Sequence, residues 1–159
     1  KEKIVVVGGI WFEKGVQGHC HLLHLTLRQA KQDGVVGLSS FTLDDVLVEQ
    51  CGGNGVCAQG TGVVGRCTNV EVCQCGYSGV LAYAGALNTL IGTKTTVHHN
   101  CTTGKTCNYG LIIYGSSSTI QLVSPLTKEM VASDNGGGGN WGGTQGGDVK
   151  QIETIDVTA

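Results

Sequence analysis

Residues 51–79, CGGNGVCAQGTGVVGRCTNVEVCQCGYSG, set the terms on which the whole chain is read. Glycine or cysteine recurs every few positions, and the large apolar residues that build a core are nearly missing. Such a segment buries too little apolar surface to order itself, so it is expected to be held by covalent staples. An even cysteine count in a glycine-rich, charge-poor chain reads as a disulfide framework formed in an oxidising compartment. A cytosolic zinc protein would instead carry close Cys-x-x-Cys pairs, and the chain has none. Cys20, Cys51, Cys57, Cys67, Cys73, Cys75, Cys101 and Cys107 are therefore all expected to be oxidised, with Cys101–Cys107 closing a local loop.

Strand-like segments lie on both sides of this stretch. The chain has 159 residues, fitting one domain or a small domain with an appended module. Glycine occurs 27 times and proline once, and runs of Val, Thr and Ile between glycine turns point to short strands. Ile4–Phe12 is apolar at successive positions, as in a strand buried on both faces. His19–Arg28 alternates, with Leu23, Leu25 and Leu27 on one side and His24, Thr26 and Arg28 on the other. Val35–Leu38, Phe41–Glu49, Val80–Leu90, Thr95–His99, Gly110–Tyr114, Thr119–Val123 and Val149–Val157 read the same way. The expected fold is mostly β: a disulfide-stapled antiparallel β-sandwich, jelly-roll or Ig-like, with a Cys/Gly-rich insert. Residues 1–50 would supply its first strands, 51–79 the insert, and 80–159 the remaining strands with a glycine-rich loop at 135–147.

Cys51-Gly-Gly-Asn-Gly-Val-Cys57, followed by Cys73-Gln-Cys75-Gly-Tyr-Ser-Gly79, resembles the EGF-like modules of the tenascin and laminin type. There are departures: no cysteine stands shortly before Cys51 or closely after Gly79, the second spacing is short, and Cys67 is extra. The resemblance implies a Cys51–Cys73 bond and leaves Cys57 and Cys75 to pair elsewhere, with Cys67 and Cys20 as candidates. Modules of this kind are spacers and adhesive units. Phe41-Thr-Leu-Asp-Asp-Val-Leu-Val-Glu49 resembles the last strand of extracellular jelly-roll domains of the carbohydrate-binding and MAM types, which are longer than the 40 residues preceding it here.

Motifs for catalysis are lacking. There is no Gly-x-Ser-x-Gly elbow. Asp44 and Asp45 are strand neighbours pointing to opposite faces, so they cannot flank one bond. His19 and His21 share a strand face at a spacing used by copper and zinc sites, but no carboxylate adjoins them to orient the rings. The five histidines, His98 and His99 included, are expected to hold no metal, and no cofactor is expected. A net charge of −2 supplies no basic face for nucleic acid. No apolar run reaches the roughly 20 residues of a membrane helix. Asn100-Cys101-Thr102 is an N-glycosylation sequon, so Asn100 is expected to carry a glycan.

These readings predict a non-enzymatic, secreted or cell-surface protein whose leader, if it had one, has been removed. Its function would be structural: a subunit of a filament or matrix, joined head-to-tail to copies of itself. Ile4, Val5, Val6, Val7, Ile10, Trp11 and Phe12 would form the strand donated to a neighbour. The alternative is a secreted carbohydrate-binding or adhesive module in which Trp141 and Tyr77 stack on sugar. A secreted copper- or zinc-dependent enzyme is a third reading.

Overall fold

The computed structural model describes residues 3–157. The chain winds through six successive coils, each contributing one short strand to each of three sheets. The first coil is β1 (Ile4–Val7), β2 (Ile10–Phe12) and β3 (Cys20–Leu23), and the second is β4 (Leu25–Arg28), β5 (Val35–Gly37) and β6 (Phe41–Asp44). The third is β7 (Leu47–Glu49), β8 (Val56–Gln59) and β9 (Val64–Thr68), and the fourth β10 (Glu71–Cys73), β11 (Val80–Tyr83) and β12 (Leu87–Ile91). The fifth is β13 (Thr96–His98), β14 (Leu111–Tyr114) and β15 (Thr119–Val123). The last is β16 (Ala132–Ser133), β17 (Trp141–Thr144) and β18 (Ile152–Ile155), preceded by the one-turn helix α1 (Lys128–Val131). Every strand pairs in parallel with its counterparts one coil before and after. The molecule is a parallel β-solenoid.

The antiparallel sandwich expected from the sequence is thereby corrected. Alternation along a strand reveals its two faces but not the direction of its neighbour. Parallel neighbours need a long crossover, and here the crossover is the rest of the coil, two further strands in place of the usual helix. Several strands inferred as single are also divided. His24 and Asp45 adopt left-handed φ values of 54° and 52°, turning the chain sharply between β3 and β4 and between β6 and β7. Residues 3–50, 51–79 and 80–157 each contribute strands to all three sheets.

Alternate residues of each strand point inward and stack on their counterparts. In the first sheet these are Leu27, Val48, Val72, Val97 and Ala132, each at most 2% exposed. Burying a Val or Leu is worth roughly 1.5–3 kcal/mol, so a column of such residues stabilises a coil that could not stand alone. The columns adjust to one another: Phe41 lies opposite Gly65, where a Cβ would sit 2.6 Å from the ring's Cζ.

The structure also corrects the disulfide framework. All eight cysteines are free and no two lie at bonding distance. After each first-sheet strand from β4 onward the chain turns through a left-handed residue, Gln29, Gln50, Gln74, His99 or Asp134. The residue that follows points into the core, and these are Ala30, Cys51, Cys75, Asn100 and Asn135. Cys51 and Cys75 occupy that column as small buried side chains, their thiols donating to the carbonyls of Glu49 and Cys73 at 3.5 Å. Cys51 is thus stacked on Cys75, not bonded to Cys73, and Cys101 is buried while Cys107 is exposed.

Candidate functional site

Three surfaces carry the residues singled out in the sequence, and the first is the open end of the solenoid. Ile4, Val5, Val6, Val7, Ile10, Trp11 and Phe12 lie in β1 and β2, which pair on one side with β4 and β5 of the same chain. Their other edges are unpaired among the described residues, as is that of β3. Val6, Ile10, Phe12, Cys20 and Leu22 pack on the core from one side only and stay half-buried. Ile4 is 71% exposed, Val7 70% and Trp11 54%. The outer edges of β16, β17 and β18 in the last coil are likewise unpaired among the described residues, but its inward side chains are better covered. Ala132 and Ile152 are buried although no coil follows them among the described residues, and Trp141 packs on the core with the Lys128 ammonium 5.9 Å above its ring.

The second surface is a cleft of about 310 Å³ on the outer face of the middle sheet, lined by residues including Tyr77, Leu81, Ile112 and Tyr114. Tyr114 meets Tyr83 of the preceding coil edge to face at 4.8 Å, and Lys105 Nζ lies 4.7 Å over the Tyr77 ring. Of the two aromatic residues proposed to stack on sugar, Tyr77 borders this cleft. Trp141 does not, because its ring is turned onto the core.

The third surface is the outer face of the first sheet. Arg28, Glu49, Cys73, His98 and Ser133 stand in register on successive strands. Arg28 donates to Glu49 through Nε at 3.1 Å and through its terminal nitrogen as well. His98 Nε2 lies 2.8 Å from Glu71 Oε1, and its Nδ1 lies 2.7 Å from Nδ1 of His99. Glu71, Cys73 and His98 bring their ligand-type atoms within 4.8 Å of one another. Burial, then the charges of Glu71 and Glu49, push the Cys73 thiol up to about 11. Cys57 and Cys67 are pushed by burial to about 12, so they are inert thiols inside the coils.

The histidines do not form one cluster. His21 faces outward in the third sheet opposite Thr42, and His24 sits at a corner with Nδ1 2.8 Å from Asp45. Lys3 reaches the same carboxylate at 2.8 Å, so hydrogen bonds from Lys3 and then His24 hold Asp45 below its ordinary pKa.

Asn100 is 1% exposed. Its Oδ1 accepts from the Cys75 amide at 3.1 Å, and its Nδ2 donates to Val72 O and Asn135 Oδ1 at 3.0 and 3.1 Å. The atom to which a glycan would attach is therefore buried and fully engaged in the folded chain.

Glu71 and Cys73 joined to His98 were not foreseen, because 25 or more residues separate His98 from its partners in sequence. The signal that finds them is a repeat. Val48-Glu-Gln-Cys51-Gly52 returns as Val72-Cys-Gln-Cys75-Gly76, and aligning the next coil on it places Val97-His98-His99-Asn100 in the same frame. Among the described residues no helix is long and apolar enough to cross a membrane. Comparison of the chain with family models, with curated proteins and with solved structures gives no match.

Proposed function

We propose that the chain is a structural unit that joins a second copy of itself through the open first coil. The observation that carries this reading is a difference in side-chain exposure between the two ends: Ile4, Val7 and Trp11 of the first coil are mostly exposed, whereas Ala132 and Ile152 of the last are buried, although three strand edges are unpaired at each end among the described residues. Unpaired edges beside apolar surface are templates for strand pairing. A covering partner must present three strands around an apolar centre of the same cross-section, and the open end of a second copy meets that requirement. Two open ends meeting about a two-fold axis make a self-complementary contact that closes on itself. A head-to-tail polymer would need a far end with as much exposed apolar surface as the near one, so burial of Ala132 and Ile152 favours a closed pair over a fibre.

Sedimentation velocity over a wide concentration range tests this. The wild-type chain is expected to run as a dimer. Val6→Lys places an inward-pointing charge in the contact and is expected to run as a monomer with an unchanged circular dichroism spectrum. A wild-type monomer at every concentration, or a dimer that survives Val6→Lys, overturns the proposal.

A second reading rests on the cleft beside Tyr77, Tyr83 and Tyr114, whose aromatic rings and flanking Lys105 suit an oligosaccharide. Glycan-array binding lost in Tyr114→Ala would favour it, and no binding by the wild-type chain would remove it.

A further inference from the structure

We propose that Glu71, Cys73 and His98 form a binding site for a transition-metal dication of the zinc class on the outer face of the first sheet. The reasoning starts from register. Glu71 and Cys73 are two residues apart on β10, so both side chains leave the same face. His98 on β13 is the direct partner of Cys73 across the ladder. The resulting carboxylate, thiol and imidazole have their ligand atoms within 4.8 Å of one another, on strands fixed by pairing on both sides. Tetrahedral zinc, with bonds of about 2.0–2.3 Å, holds its ligand atoms roughly 3–4 Å apart. The Glu71 side chain is 46% exposed and free to swing in by the small difference.

The donor set chooses the metal class. Thiolate and imidazole with one carboxylate suit zinc and its neighbours, whereas calcium and magnesium take oxygen. The orienting contact that a zinc-bound histidine usually has is also present. His98 and His99 share a 2.7 Å contact between their Nδ1 atoms, which His98 satisfies by donating its Nδ1 proton to His99. Loss of the proton shared by its Nε2 and Glu71 Oε1 frees a lone pair directed toward Glu71 and Cys73, as a ligand needs. On binding, the cation takes the place of the proton between His98 Nε2 and Glu71 Oε1, and Cys73 gives up its thiol proton, so both protons leave to solvent. Three protein ligands leave a fourth position for water.

The test is calorimetric titration of the full chain with Zn2+, paired with Co2+ as a coloured reporter. One zinc per chain is expected, and cobalt should show a thiolate charge-transfer band. Cys73→Ser is expected to abolish the band, and Cys73→Ser and His98→Gln each to weaken zinc by at least about tenfold. His99→Ala, which removes only a positioning contact, should weaken zinc while keeping one site per chain. Cys107→Ser and His21→Gln, at groups outside the site, are expected to change neither readout. Glu71→Gln alters an exposed carboxylate and keeps the test open if Cys73→Ser fails to fold, again with a loss of about tenfold. Absence of stoichiometric zinc, or a cobalt band that survives Cys73→Ser and disappears in Cys107→Ser, overturns the proposal.

Discussion

Asn100 shows how one residue can serve a solenoid in place of a disulfide. Its amide group sits in the inward corner column and satisfies the Cys75 N–H and the Val72 carbonyl, one coil back, while also meeting Asn135 one coil ahead. Corners are where ladder hydrogen bonding fails, and an asparagine with both a donor and an acceptor restores it across coils. Asn100→Ala would orphan two buried main-chain groups at about 1–3 kcal/mol each. The expected loss is about 2–6 kcal/mol, read from the urea midpoint with an unchanged slope. The sequon at this position was plain in the sequence, but its burial was not, because burial depends on which residues precede and follow it one coil away. The cysteines misled for the same reason. Cysteine is a small hydrophobe that suits a buried column, and a column whose members lie 24 residues apart in sequence looks, read linearly, like a staple pattern.

At the scale of elements, most strands were legible and their pairing was not. Val80–Tyr83 and Leu111–Tyr114 are short apolar runs and Thr119–Val123 alternates, and the structure places strands at all three. Corners were harder, since Gln29, Gln50, Gln74 and His99 carry left-handed φ values with no glycine to announce them. One corner also ties two coils together. Asp45 accepts from Lys3 of the first coil and from His24 where the first coil meets the second. Its carboxyl is held below the unfolded value near 4, so its contribution is present above that pH and is lost as pH falls through the folded value. Asp45→Asn keeps a residue that tolerates the left-handed turn and removes only the charge. Melting curves between neutral pH and about pH 3 should show the wild-type chain losing more stability on acidification than Asp45→Asn. Parallel curves for the two proteins would show that this corner carries no electrostatic tie.

For the whole molecule, the decisive property is that each coil touches only its neighbours. Among the described residues the first coil leaves apolar side chains exposed while the inward residues of the last coil are buried, and the proposed dimer follows from that difference. The same stacking brings the Glu71, Cys73 and His98 side chains onto one patch, so both proposals depend on parallel register. That register is tested most directly by a nuclear Overhauser map of the backbone protons of the labelled 16.4 kDa chain. Parallel stacking predicts amide and α-proton contacts that link Val56 to Val80 and Val80 to Leu111, and likewise Val48 to Val72 and Val72 to Val97. It also predicts no strong contacts between α-protons of neighbouring strands, because those approach closely only across an antiparallel ladder. A set of strong α-proton to α-proton contacts between strands adjacent in sequence would contradict the solenoid and both proposals built on it.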